Sequence, residues 1–307
     1  MKQTASTILM IRPASFGYNA ETAANNVFQN LPGAEKLPLI KEKAIAEFDR
    51  FIETLNKKNI EVLVIQDTPS PPKPDAVFPN NWFCTLSDGT IAVFPMYAPN
   101  RRIEKNNDLL QMLIEKYEVR DVEDWSEYEA ESLFLEGTGS MIIDHENKII
   151  YACISPRTNR SVLEKFATAH GFRPFLFHSR DEQGTDVYHT NVIMHVGETY
   201  AVICLESIPA GTERIALSQL LISTGHEIIP ISFEQVRAFA GNMLQVKNKK
   251  GKAFTLLSRT AYMSLTKEQK TILQHHTTLL PVDIQTIETI GGGSVRCMMA
   301  EIFLEKK

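Results

Sequence analysis

Three segments of this chain carry side chains that could do covalent chemistry together. GGGSVRC ends at Cys297, YHTN carries His189, and Glu136 precedes GTGS after the apolar run LFL. Consecutive glycines destabilise regular structure and mark a tight turn or a close backbone approach. A cysteine just beyond them can be presented to a ligand, with free backbone N–H groups nearby to favour the thiolate. A carboxylate following an apolar run needs a partner. Each segment alone also fits a plain structural role: packing for Cys297, a hydrogen-bonded core histidine for His189, a loop-edge acid or helix cap for Glu136. Together they supply nucleophile, acid/base and orienting acid, the set that covalent catalysis requires.

Something must bring together residues more than a hundred positions apart. Five amphipathic helix patterns begin near residues 43, 103, 161, 212 and 266, each followed by an apolar strand pattern. In the first, Ile45, Phe48, Phe51, Ile52 and Leu55 share one face at three- and four-residue spacing. Asn59, Gly171 and Gly225 are helix stops, and Thr266 with Gln269 forms a capping box. No such unit can bury its apolar face alone, so a period of roughly 50–60 residues predicts repeats packed about a shared centre. After each pair comes a polar or glycine-rich turn and another apolar run. Asn81, Thr138, Asn191, Asn242 and Ser294 serve as matching points, with gaps of 57, 53, 51 and 52 residues. Closure about an axis would bring these turns to one pocket. The proline-rich TPSPPKP at 68–74 falls inside the first unit and is expected to be a surface loop.

Composition limits what the pocket could serve. The 307 residues are 43% hydrophobic and 22% charged, with a formal charge of −5, so there is no basic footprint for nucleic acid. The apolar run near the N-terminus is shorter than the roughly 7–15 residues of a secretory core, and no stretch approaches the ~18 residues of a membrane span. Cysteines 84, 153, 204 and 297 form no CxxC pair. They are expected to be thiols in a cytoplasmic protein, the first three as core residues. The eight histidines include no HExxH or comparable metal-ligand spacing. The adjacent His275 and His276 are expected at a solvated helix end.

PDAVFPNNW, NRRIE, LEGTGSMIID, SPRTNR, YHTNV, GN and GGGSVRC, in that order, resemble the guanidine-modifying pentein superfamily. This superfamily includes arginine deiminases, dimethylarginine hydrolases and amidinotransferases, and the branch most similar here is associated with citrulline use. The resemblance covers nearly the whole chain. It implies an α/β fold, a five-bladed pseudo-fivefold propeller forming a single domain over residues 1–307, with the active site on the axis. It further implies Cys297 as nucleophile, His189 as general acid/base and Glu136 as the carboxylate orienting His189. Asp75 would hold the substrate's nitrogens, and Arg101 and Arg157 its α-carboxylate through bidentate hydrogen bonds. No metal or organic cofactor is implied, and the partner is a small amino acid bearing a ureido or guanidino group. A homo-oligomer is left open.

The chain departs from the deiminase pattern at informative places. Asn80 and Asn81 stand after the VF dipeptide where relatives acting on a guanidinium commonly have acids. Asn191 replaces an acid two residues after the histidine, and Gly139 stands where many relatives have an aspartate. A guanidinium favours paired carboxylates, whereas a neutral ureido group carries a carbonyl acceptor. Fewer acids therefore favour citrulline, cleaved to ornithine, ammonia and carbon dioxide, with Asn81 and Asn191 helping to orient the group. The rival enzymes are an amidinotransferase and an arginine deiminase or dimethylarginine hydrolase. The rival of another class is a non-catalytic ligand binder on the same scaffold.

Overall fold

The helix–strand period becomes five copies of one unit, each a three-stranded sheet backed by a helix. The computed structural model describes residues 2–23, 25–31, 33 and 37–307. In every sheet a central strand pairs antiparallel with a short strand on one side and parallel with a strand on the other. Four sheets follow chain order. They are β3 (Phe83–Thr85), β4 (Thr90–Val93) and β5 (Asp121–Asp124), then β6 (Ile142–Asp144), β7 (Ile149–Cys153) and β8 (Arg173–Phe177). Next come β9 (Met194–Val196), β10 (Tyr200–Ile203) and β11 (Glu227–Pro230), then β12 (Leu244–Lys247), β13 (Ala253–Ser258) and β14 (Thr278–Val282). The remaining sheet joins distant parts of the chain: β1 (Thr7–Arg12) pairs with β2 (Glu61–Gln66) and with β15 (Ala300–Ile302).

A parallel neighbour needs a crossover, and one helix supplies it in each unit. These helices are Leu37–Lys57, Asn107–Lys116, Arg160–Ala169, Gly211–Ser223 and Lys267–His276. The second starts at 107 rather than 103 because the Asn106 side chain caps it by accepting from Leu109 N, and Pro99–Arg102 forms a separate short helix. Asn59, Gly171 and Gly225 stop their helices with φ of 58°, 68° and 85°. The capping box of Thr266 and Gln269 is present. Phe48, Phe51 and Leu55 are buried on the first helix, while Ile45 and Ile52 at the edge of that face are half-buried. The central strands β4, β7 and β10 are buried along their whole length, as strands covered on both faces must be.

A short turn precedes each antiparallel strand, at 79–81, 137–140, 190–192, 239–242 and 295–298. The turn at 79–81 packs against those at 137–140 and 295–298, and 137–140 packs against 190–192. The turns thus converge, and the five-bladed α/β propeller places them around its axis. At the far end of the axis Gln3 Nε2 donates to Ile143 O at 3.0 Å and to Val196 O at 3.5 Å, tying two blades together. Counting back from the strands refines the register. Asn80, Gly139, Asn191, Gly241 and Cys297 each lie three residues before the first residue of their strand (83, 142, 194, 244 and 300). Ser294 is therefore three residues short of the matching point, and Cys297 occupies it. Among the described residues no helix is long and apolar enough to cross a membrane.

Candidate active site

Cys297, His189, Asp75, Asn81, Arg101 and Arg157 line one small cavity, together with Thr22, Asn26, Phe78, Tyr188 and the three glycines 291–293. Cys297 sits in the turn 295–298, which follows a helix (Gln285–Gly291) ended by Gly292 in the left-handed region at φ 64°. A side chain at 292 would also collide with Asn26 and Gln29, so this position has to be glycine for the loop to run beneath them. The other three cysteines are buried and unpaired. Burial pushes the Cys153 and Cys204 thiols up to about 12 and about 11, and raises Cys84 further. They are inert core thiols.

Glu136, fully buried beneath the cavity, lies with Oε2 2.8 Å from His189 Nε2. A carboxylate can only accept, so Nε2 carries the proton and Nδ1 is the nitrogen free to take another. The second carboxylate oxygen accepts from Tyr97 N at 2.9 Å, and Arg157 Nη1 lies 3.4 Å from Oε2. Burial alone would raise the Glu136 carboxyl, but Arg157, the hydrogen bond from His189 and Arg101 outweigh it and hold the group ionised well below the usual range. Burial lowers His189 to about 4 despite Glu136, so the imidazole is neutral at physiological pH. Gly139 explains its own departure from the deiminase pattern. A Cβ there would lie 2.5 Å from Asn81 Nδ2 and 2.8 Å from His189 Nδ1, so no side chain fits between them.

The amides and acids around the cavity have an informative pattern of unpaired atoms. Arg101 donates from Nη1 to Asn81 Oδ1 at 2.8 Å, and from Nε and Nη2 to both oxygens of Glu104 at 2.9 and 2.8 Å. Because a guanidinium only donates, this contact fixes Asn81 with its N–H₂ turned the other way. Asp75 Oδ2 accepts from Asn19 Nδ2 at 2.7 Å and from Thr22 Oγ1 at 3.3 Å. Burial pushes the Asp75 carboxyl up, against the opposing pull of Arg101. Asn81 Nδ2, Asp75 Oδ1 and Asn191 Oδ1 are buried with no hydrogen-bond partner among the described residues. Buried polar atoms are nearly always paired, so the free donor of Asn81 and the free acceptor of Asp75, both on residues that line the cavity, point to a ligand.

Several of the expected substrate-binding residues already have protein partners. Both arginines reach the cavity, but each is already engaged by protein groups: Arg101 by Glu104 and Asn81, and Arg157 by the segment above the site. Arg157 donates from Nε to Asn25 Oδ1 at 3.0 Å and from Nη2 to that oxygen and to Thr22 O, with its guanidinium 4.8 Å over the Tyr188 ring. Asn191 turns its N–H₂ to Cys297 Sγ at 3.4 Å and is not among the residues that line the cavity. Trp82 is fully buried beside Phe83 and walls nothing. His276 pairs with Glu227 at the end of its helix, as expected of a helix end.

The sequence reading missed the cover. Residues 68–72 of the proline-rich loop are exposed, and Lys73 after them lines a different cleft. The segments over the cavity are 19–23 and 25–30, held to its rim by Asn26 Nδ2 to Gly292 O at 3.2 Å, Gln29 Nε2 to Gly291 O at 3.0 Å and Asn30 N to Thr289 O at 2.8 Å. Their signal was there: five amides, at 19, 25, 26, 29 and 30, in a stretch without apolar periodicity. Tyr188, whose hydroxyl donates to Gly292 O at 3.0 Å, was also missed, although it adjoins His189. Among the described residues no cluster of histidine, cysteine and acid side chains could hold a metal ion.

Comparison with known proteins places this geometry in context. A family model described as N,N dimethylarginine dimethylhydrolase, eukaryotic, matches residues 12–304. No curated protein matches the chain. Among solved structures, the N-terminal domain of ArgZ, an arginine dihydrolase from the ornithine–ammonia cycle in cyanobacteria, is similar with a TM-score of 0.73 at 14% identity. That match covers 96% of this chain and 97% of that domain. AgrE in complex with L-arginine gives 0.71 at 14% identity, over 96% of this chain and 40% of that one. A dimethylarginine dimethylaminohydrolase adduct with S-methyl-L-thiocitrulline gives 0.65 at 15%, over 97% and 100%. The chain spans 40% of full-length ArgZ. These likenesses show the pentein fold.

Proposed function

The chain belongs to the N,N-dimethylarginine dimethylhydrolase family of penteins, and we propose that it is a cysteine hydrolase acting on the ureido carbon of citrulline or a close analogue. The observation that carries this reading is the unpaired set at the cavity. Asn81 Nδ2 is a donor locked in place by Arg101, while Asp75 Oδ1 is an acceptor. A ureido group offers the complement, one carbonyl acceptor and N–H donors on both nitrogens. A guanidinium has no acceptor, and would leave Asn81 Nδ2 facing another donor.

In this mechanism His189 Nδ1 takes the Cys297 thiol proton, the thiolate attacks the ureido carbon and the C–N bond to the terminal nitrogen breaks. That nitrogen leaves as ammonia with a proton from His189 Nδ1. The imidazole, held by anionic Glu136, then takes a proton from water, which cleaves the S-carbamoyl intermediate. The resulting N-carboxylate loses carbon dioxide, so citrulline and one water give ornithine, ammonia and carbon dioxide. Arg157 is the group placed to receive the α-carboxylate, in exchange for the Asn25 carboxamide oxygen it now holds. Arg101 serves by fixing Asn81.

A guanidino substrate is the second reading, favoured by the family description and by the arginine and dimethylarginine named for the structural relatives. Purified protein incubated with citrulline, arginine, dimethylarginine and agmatine, with Cys297→Ala as control, separates the two. Ornithine and ammonia from citrulline alone support the ureido reading. Turnover of arginine without citrulline reverses the substrate and keeps the chemistry. An amidinotransferase would instead make a new guanidino compound when an amine such as glycine is added. A non-catalytic binder would turn over none of the four.

A further inference from the structure

The GN motif at 241–242 has no part in the mechanism above, yet its asparagine touches the reacting sulfur. Asn242 Nδ2 lies 3.4 Å from Cys297 Sγ, as does Asn191 Nδ2, while Asn242 Oδ1 is farther from the sulfur at 3.8 Å. The orientation of Asn242 is fixed without reference to the cysteine. Its Oδ1 accepts from Arg296 N at 2.9 Å and its Nδ2 donates to Asn191 O at 2.9 Å, so an N–H must face the sulfur. Gly241 permits this. The chain enters the turn through Phe239 at φ 62°, and a Cβ on Gly241 would lie 2.4 Å from Val192 O. Only glycine lets the fifth blade's turn press against the fourth's, which brings the two amides around one sulfur.

We propose that Asn242 and Asn191 form a paired amide seat for the Cys297 sulfur, in which two carboxamide N–H groups donate to the thiolate, hold it charged and aim it into the cavity. Hydrogen bonds to the charged form of an acid favour that form. Among the described residues the side chains that hydrogen-bond the sulfur are these two amides, with no lysine, arginine or histidine among them. The same seat would receive the sulfur again as the thiolate is released in hydrolysis. The inference rests on Cys297 being the nucleophile, and its test keeps the two apart.

The measurement is the rate of Cys297 carboxamidomethylation by iodoacetamide from pH 5 to 10, read by peptide mass spectrometry on the full chain, for the wild type, Asn242→Asp and Asn242→Ala. Asn242→Asp keeps the size and the acceptor for Arg296 N, and replaces the donor with an oxygen. Its alkylation midpoint should rise by at least one pH unit, a loss of about tenfold in rate below the midpoint. Asn242→Ala should move in the same direction by less, and circular dichroism confirms which variants stay folded. A folded Asn242→Asp with an unmoved midpoint overturns the seat. A wild-type Cys297 no more reactive at neutral pH than Cys84, Cys153 and Cys204 overturns the nucleophile assignment instead, and the seat with it.

Discussion

Replacing Asn81 with aspartate tests the substrate argument at the single atom on which it depends. Asn81 Oδ1 takes a hydrogen bond from Arg101 Nη1 at 2.8 Å, which an aspartate would keep, so the side chain should stay in place. What changes is the other atom, from a buried N–H₂ donor to an oxygen. For a ureido substrate the carbonyl loses a donor and meets an acceptor, and leaving a buried polar group unsatisfied costs about 1–3 kcal/mol. For a guanidinium the same change adds a charge-assisted hydrogen bond worth about 1.5–3 kcal/mol, cut back because Arg101 already holds part of the new charge. The net effect on the ratio of kcat/KM for citrulline over arginine is about 3 kcal/mol, on the order of a hundredfold in favour of arginine. Steady-state release of ammonia from each substrate, wild type beside Asn81→Asp, measures the ratio directly. An unchanged ratio in a folded variant, or a wild type that already prefers arginine, refutes the reasoning.

Glu136→Gln removes the anion that holds His189, so kcat should fall by about 10³–10⁴, and urea unfolding should show a loss of about 3–5 kcal/mol as buried Arg157 loses its counter-charge. Gly139→Ala puts a methyl 2.8 Å from His189 Nδ1 and should lower kcat at least about a hundredfold in a chain that still folds; near-normal turnover would show that the ring has room to shift. Arg157→Lys loses the fork and should raise KM roughly tenfold with kcat less affected, as expected of a residue that binds the amino-acid end. Acid should destabilise the protein, because burial lowers His145 and His195 to about 3 and His189 to about 4 from the ordinary 6.5. These rings stay neutral in the folded state while the unfolded chain takes up protons, so their stabilisation is present above pH 6.5 and declines as the pH falls toward 4. His195→Gln should make the slope of unfolding free energy between pH 4.5 and 6 shallower by about 1.4 kcal/mol per pH unit. A slope identical to the wild type would show that His195 is not held neutral.

The repeat was visible because each unit must bury one face, and that need writes a periodicity into Phe48, Phe51 and Leu55 and fixes stops at Asn59, Gly171 and Gly225. Cys297, His189 and Glu136 were visible because such residue types are awkward where they stand unless paired. The cover of the cavity was not, and the reason is physical. Asn19, Asn25 and Asn26 act through hydrogen bonds to Asp75, Arg157 and Gly292, contacts 56, 132 and 266 residues apart that leave no local period. The prior engagement of Arg101 was half visible, since the pairing with Glu104 is an i,i+3 contact inside NRRIE. Which atom of Asn81 faces the cavity could not be read at all. It follows only from a guanidinium arriving from a separate short helix.

The pseudo-fivefold register gives a reason why one small cavity can hold so many specialised atoms. The position three residues before each antiparallel strand is a backbone address that the fold brings to the axis five times. Of its occupants, Asn80, Gly139, Asn191, Gly241 and Cys297, the last four divide work that a single turn could not perform. One copy carries the sulfur, a second donates to it, a third is emptied so that His189 and Asn81 can approach, and a fourth is emptied so that Asn242 can reach the sulfur from the next blade. In such a site specificity and reactivity are set by neighbouring turns rather than by a single loop. A substitution at 139 or 241 should therefore act on chemistry carried out by residues from other blades, and its effect on kcat should not add to that of Asn191→Ala, because those turns share one packed centre.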